Sequence, residues 1–298
     1  MSNNPISEHY DKSADTYHLQ YQEELLYDLN RDYPANYFRL KQLKESFADK
    51  KIKNIVEVGV GEGTPLVEIA KLGIQVSGFD ISKEMVRVSR DTLAKNGMDQ
   101  NRVIEGDIEK PNTYSELLKF GPFDGLLAMG VMPHVMNDKQ SLINMTDLLT
   151  PGGTIFVEFR NKLFSLFTFN RNTMDFIMDD LLLNVSSTLK DLVRNNLQNR
   201  LEMSLPKIRA VHEDDPTTPG YDAILSKFHN PFEILNLFSD LGFQDSHLLW
   251  YHFHPAMPFL EEHQKMLFRE EAFKLEENPS DWRGMFLCSA FVVEARKG

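Results

Sequence analysis

Three carboxylates stand near the ends of short apolar runs in the first half of the chain: Glu57, Asp80 and Asp107. Asp80 follows Glu57 by the length of one strand–helix–strand step, and a carboxylate closing a second strand can accept both hydroxyls of a ribose. Just after the first acid come Gly59, Gly61 and Gly63. Glycines at alternate positions let the backbone turn sharply and let a ligand lie against main-chain N–H groups. A strand, a glycine turn and a helix N-terminus make a nucleotide-type pocket. The charge of its rim then divides the nucleotides. A pyrophosphate wants bare N–H groups with no carboxylate beside them, whereas a cationic ligand without phosphate is favoured by an acidic rim. Three acids around one ligand point to the second kind, although Asp80 alone would serve either.

The elements that must hold these groups follow from the pattern. Ile52, Ile55, Val56 and Val58 form a β-branched run of the sort buried on both faces, and helical spacing follows through Leu66, Val67, Ile69, Ala70 and Leu72. Gln75–Asp80 reads as a second buried strand. Ser82 is an N-cap for a helix through Met85, Val86, Val88 and Leu93 that stops at Asn96-Gly97. Arg102–Ile108 reads as a third strand and loop, in which Asp107 after Gly106 is equally a turn residue. Gly125–Met129 and Thr154–Phe159 are the fourth and fifth strands. His134 and Arg160 follow them at the carboxyl edge, where an open parallel sheet brings ligands to catalytic groups. His134 reads as a group near the reacting atoms or as the cap of the next helix. Arg160 reads as a binder of a substrate carboxylate or phosphate, or as the partner of Glu158. Earlier, helical spacing runs from about Tyr21 to Phe47, broken near Pro34.

The acid-then-G-x-G-x-G phrase of Glu57, Gly59, Gly61 and Gly63 resembles motif I of the class I S-adenosylmethionine-dependent methyltransferases. The dinucleotide pattern G-x-G-x-x-G would need a small residue where Thr64 stands. The opening Tyr10-Asp11-Lys12-Ser13-Ala14-Asp15-Thr16-Tyr17 is similar to the Y-D-x-x-A-x-x-Y lead-in of small-molecule methyltransferases, and Leu148–Gly153 to their L-x-P-G-G turn. The phrase around Met132-Pro133-His134 looks like their x-V-L-H-H segment. The resemblance implies a seven-stranded, doubly wound α/β sheet of strand order 3-2-1-4-5-7-6 with the last strand antiparallel. It further implies S-adenosylmethionine as cofactor, with Tyr10 and Tyr17 folded over its methionine half. Asp107 would take the adenine amine and Ile108 cover the ring, with Ile81, Met85 and Met129 completing the lining. The signatures of exocyclic-amine and cytosine-C5 nucleobase methyltransferases are absent.

Between the fifth strand and Gly242-Phe243 lies an insertion, residues 162–228, with Leu163, Phe164, Phe176, Leu181, Leu189, Leu192 and Leu197 at helical spacing. It reads as a helical lid over the acceptor pocket or as a homodimer surface. Tyr221, His229 and His252 are candidate lid or rim residues for the substrate. The His252/His254 pair lacks acidic or cysteine ligands at useful spacing, so no metal is expected. The division expected is a cap at 1–50, an α/β core at 51–161, the insertion at 162–228 and the core's remainder at 229–298.

At 298 residues and 42% hydrophobic, with a formal charge of −12, the chain reads as a globular protein whose surface repels nucleic acid. One cysteine, Cys288, excludes a disulfide framework. Neither a leader nor a membrane span is visible, so a cytoplasmic location is expected. The expected reaction is methyl transfer from S-adenosylmethionine to an oxygen or nitrogen of a small molecule. The alternatives are a nicotinamide-dependent oxidoreductase and a cofactor-binding scaffold without turnover.

Overall fold

The computed structural model describes residues 5–48, 50–203 and 224–298. Its strands are β1 (Asn54–Val58), β2 (Gln75–Asp80), β3 (Val103–Glu105), β4 (Phe123–Ala128), β5 (Leu149–Arg160), β6 (Phe243–Phe253) and β7 (Cys288–Lys297), paired in the order β3-β2-β1-β4-β5-β7-β6. β1 to β5 are parallel, and β7 runs antiparallel between β5 and β6, as the resemblance implied. β1 is buried from Ile55 to Val58 because helices cover both faces, which is why it shows an apolar run without alternation.

The helices before the insertion are α1 (Pro5–Ser13), α2 (Ala35–Ala48), α3 (Thr64–Ala70), α4 (Lys83–Lys95) and α5 (Asp138–Leu148). Ser82 caps α4 as expected, its Oγ accepting from the Met85 amide at 3.0 Å. α2 seats Leu43 and Phe47 on one face of the sheet, where the Phe47 ring stacks on Phe156 of β5 at 4.8 Å. Burying such a phenylalanine contributes about 1.5–3 kcal/mol. The register aligns the ends of the central strands, with Glu57 opposite Gly78 and Val58 opposite Ala128. The carboxyl ends of β1, β2 and β4 therefore open onto one edge.

The N-terminal region differs from its expected helix. Residues 17–25 form two 3₁₀ turns, Tyr17–Tyr21 and Glu23–Leu25, and regular helix begins only at Ala35. Arg269 takes the carbonyls of Leu26, Asp28 and Arg31, which a helix would spend internally, and Asp28 binds the Asn30 amide. Downstream, Gly284–Leu287 coils into a helical turn and β7 begins directly after it, at Cys288.

The insertion continues with α6 (Ser165–Thr168), α7 (Arg171–Phe176), a π-helical turn (Ile177–Leu181) and α8 (Ser187–Leu197). Leu163, Phe164, Met174, Phe176 and Met178 are buried, whereas α8 buries nothing and leaves Leu189 and Leu192 exposed. Part of the expected insertion, including Tyr221, lies outside the described residues. The remaining helices are α9 (Pro231–Asp240), α10 (Lys265–Glu276) and α11 (Gly284–Leu287). Among the described residues, no helix is long and apolar enough to cross a membrane.

Candidate functional site

A cleft opens at the carboxyl ends of β1, β2 and β4. The loop after β1 forms its floor. Gly59, Gly61 and Gly63 all have positive φ. A Cβ at Gly61 would meet nothing within 4 Å, and the Gly61 amide donates to Asp80 Oδ2 at 2.9 Å. Gly63 has φ +91° and a Cβ there would lie 2.7 Å from Ser89 Oγ, so glycine alone lets α3 pack on α4.

Asp80, at the end of β2, is buried and also accepts from the Ser82 amide at 2.9 Å. Burial pushes its carboxyl up to about 6, against the lowering effect of the Ser82 and Gly61 amides. Glu57 is buried more deeply, and its Oε2 has no hydrogen-bond partner. Burial holds its carboxyl well above the usual range, opposed by Arg39 and reinforced by Glu62 and Asp80.

The cleft brings together Tyr10, Tyr17, Glu57, Gly59, Gly61, Asp80, Ile81, Met85, Asp107, Ile108, Met129 and His134, all anticipated from sequence. Gly63 sits behind it as the N-cap of α3. His134 lies in a 3₁₀ turn, Met132–His134, rather than capping α5, whose cap is Asn137. Its Nδ1 is 2.6 Å from the Leu225 carbonyl and its Nε2 is 3.1 Å from the Tyr10 hydroxyl. Burial lowers its pKa, with Arg160 adding to that and Leu225 opposing it, so the ring is neutral at pH 7.

Other expected residues stand elsewhere. Arg160 does not line the cleft and does not pair with Glu158: it donates to Ser226 Oγ and lies 4.1 Å over the Phe228 ring. Glu158 is taken instead by Arg39, the two forming a buried ion pair, and its Oε2 also accepts from the Gly130 amide at 2.8 Å. His229 packs edge-on against Phe159, and its Nε2 is 3.4 Å from Asp138 without hydrogen-bond geometry. His252 stacks on Tyr33 at 4.9 Å, and its Nδ1 is 2.8 Å from Ser289 Oγ. Among the described residues, none of 162–203 lines the cleft, which α1 and the Tyr17–Tyr21 turn cover instead.

Sequence reasoning missed Arg39, Tyr21 and Glu109 in the lining. Burial works against the charge of Arg39, but Glu158 outweighs it and holds the guanidinium's pKa well above its usual value. An arginine in the apolar register of α2 was the available signal, since such a charge needs a partner.

The family model for the methyltransferase domain matches residues 49–200, half of the chain, across the loops that build this cleft. The chain belongs to the methyltransferase-domain family. Over 110 residues the methyltransferase is 31% identical to a ubiquinone biosynthesis O-methyltransferase of Caulobacter vibrioides, covering 36% of this chain and 41% of that one. Over 144 residues it is 27% identical to one from Methylocella silvestris, covering 47% and 53%. The chain thus spans about half, or less, of the length of these relatives. Among solved structures, magnesium protoporphyrin IX methyltransferase from Synechocystis PCC 6803 with bound SAH matches with TM-score 0.52 at 12% identity, covering 98% of both chains. A SAM-dependent methyltransferase from Thermotoga maritima matches with TM-score 0.50 at 14% identity, covering 98% of this chain and 100% of that one. At such identities the shared property is the fold.

The cofactor of this methyltransferase is S-adenosylmethionine, and the residues present fit it. An unpartnered carboxylate oxygen of Glu57 is buried in the cleft, and three further acids, Asp80, Asp107 and Glu109, line it. Those acceptors suit a cationic ligand with hydroxyls and an amine, and oppose a pyrophosphate.

Proposed function

We propose that this protein transfers a methyl group from S-adenosylmethionine to an oxygen atom of a small molecule. The observation that carries the reading is the buried, unpartnered Oε2 of Glu57, set in one cleft with Asp80 and the glycine loop. Bound there, S-adenosylmethionine supplies a methyl group already activated on a sulfonium. What remains for the chain is binding, in-line positioning, exclusion of water and removal of the acceptor's proton.

In this reading Asp80 accepts from the ribose hydroxyls and Glu57 from the ammonium of the methionine half. Asp107 takes the adenine amine, while Ile81, Met85 and Ile108 pack against the base. Arg39 has five N–H donors, more than Glu158 can use, and is placed to hold the cofactor's carboxylate. Tyr10 and Tyr17 close over the ligand from α1 and the turn after it, and Met129 completes the lining. His134, neutral and facing Tyr10, is the proton acceptor. Oxygen is favoured over nitrogen because the curated relatives named above are O-methyltransferases. The net charge of −12 favours a small molecule over nucleic acid. The reading places the enzyme in the cytoplasm, in keeping with a free, buried Cys288. It assigns the exposed Leu181, Leu183, Leu189 and Leu192 to homodimer contact, testable by sedimentation of the wild type and of Leu189→Ser/Leu192→Ser.

The test is release of S-adenosylhomocysteine, followed by mass spectrometry, from protein mixed with S-adenosylmethionine and a panel of phenols, catechols, sugars and amines. The reading requires product with at least one hydroxylated acceptor and a loss of about 100-fold or more in Asp80→Ala, the loss of two hydrogen bonds to a charged group. Binding without product from any acceptor would favour a scaffold, and stabilisation by NAD but not by S-adenosylmethionine would favour an oxidoreductase.

A further inference from the structure

The segment returning from the insertion to α9 is stitched across the edge between β4 and β5. The Lys227 amide donates to the Pro133 carbonyl at 2.9 Å, the His229 amide to the Arg160 carbonyl at 2.8 Å, and the Lys162 amide to the His229 carbonyl at 2.9 Å. Side chains lock the same segment to the first turn of α5. Lys227 Nζ pairs with Asp138 Oδ1, and Asp138 Oδ2 is 3.4 Å from His229 Nε2. Burial would raise the Asp138 carboxyl, but His229 and Lys227 outweigh it and hold it below the usual carboxylate range. The anchored segment carries the Leu225 carbonyl to 2.6 Å from His134 Nδ1.

A carbonyl oxygen can only accept, so Nδ1 bears the proton and the neutral ring leaves Nε2 as an acceptor. Free neutral histidine favours the opposite tautomer, so this form depends on the carbonyl staying where it is. Nε2 is 3.1 Å from the Tyr10 hydroxyl, and both residues line the cleft. Among the described residues, the charged and titratable groups around the ring are Tyr10 and His9 on α1, with Glu158 and Arg160 on β5.

We infer that Lys227 and Asp138 are positioning residues for His134: by fixing the Leu225 carbonyl they hold the ring as the Nδ1–H tautomer, with its Nε2 lone pair directed at Tyr10. During turnover the acceptor's hydroxyl proton passes to the Tyr10 oxygen as the Tyr10 proton passes to Nε2. One imidazolium forms, and the acceptor oxygen is left free to bond. This proton path rests on the methyl-transfer reading; the tautomer does not.

The experiment is two-bond ¹⁵N–¹H correlation spectroscopy on protein labelled with ¹⁵N-histidine, with His134 assigned by the loss of its signals in His134→Gln. The wild type is expected to show a protonated Nδ1 and a bare Nε2. In Lys227→Ala and Asp138→Asn that pattern should shift towards protonated Nε2. In the same variants kcat should fall about tenfold or more, with KM for S-adenosylmethionine held within about twofold, and Lys227→Arg should restore pattern and rate. A wild-type ring protonated on Nε2 overturns the inference whether or not any variant folds. A folded Lys227→Ala that loses rate with its tautomer unchanged overturns it as well. The expected pattern and its loss in Lys227→Ala, in a protein without methyl transfer, would support the positioning and sink the reaction.

Discussion

Replacing Asp80 by asparagine tests the ribose assignment through pH. The Asp80 carboxyl is buried and its pKa is raised to about 6, so it is mostly ionised at pH 7 and mostly protonated at pH 5. Protonation removes the charge that strengthens hydrogen bonds from ligand hydroxyls. If only the ionised form binds fully, affinity for S-adenosylmethionine falls about tenfold from pH 7 to pH 5, one pKa unit below the midpoint. The free protein responds in the opposite sense. A buried acid with a raised pKa binds more protons folded than unfolded, so its stability contribution is greatest below about pH 4 and is lost as pH rises through 6. The full span, from 3.8 to about 6, corresponds to about 3 kcal/mol. Titration calorimetry between pH 5 and 8, in two buffers of different ionisation enthalpy, reads both affinity and linked protons. The wild type should release protons on binding near pH 6 and weaken below it. Asp80→Asn should bind weakly with little pH dependence. Equal pH slopes in the two proteins would refute the reasoning.

Three further outcomes follow from the packing. Gly63→Ala should lose about 1–3 kcal/mol in denaturant unfolding, since φ +91° and a 2.7 Å approach to Ser89 Oγ both oppose a Cβ. Arg39→Met should lose about 3–5 kcal/mol by leaving the Glu158 carboxylate buried and unpaired, and Arg39→Met/Glu158→Gln should recover most of it. Glu276, raised by burial to about 7 despite hydrogen bonds from Tyr33 and Phe253, makes its stability contribution below about pH 4.5 and loses it as pH rises through 7. Glu276→Gln should flatten that part of the wild-type decline, which amounts to about 3 kcal/mol and is measurable by thermal melts across pH 5–8.

What the sequence discloses here is local. Glu57, the glycine loop, Asp80 and Ser82 sit within two strand–helix steps, and their types and spacing are set by backbone geometry that recurs wherever such a loop meets a ligand. Pairings across the sheet are different. Arg39 and Glu158 are separated by 119 residues, and nothing near either one announces the other. Arg160, on the same strand face as Glu158, was the nearer partner by sequence and went instead to Ser226 and Phe228. The stretch from Tyr21 to Pro34 was misread as helix because the competitor for its carbonyls, Arg269, lies on α10 at the other end of the chain. Apolar spacing in the insertion located α8 but not its burial: a stripe at helical period looks the same whether it faces a core or solvent.

The central claim is that the loops after β1, β2 and β3 enclose an adenosyl sulfonium, and a crystal structure of the protein grown with S-adenosylhomocysteine tests it most directly. The account predicts the ribose hydroxyls on the Asp80 carboxylate, the amino group within hydrogen-bond reach of Glu57 Oε2, and the adenine beside Asp107. Density for the nucleoside outside this cleft, or a side chain filling the space beside Glu57, would contradict it.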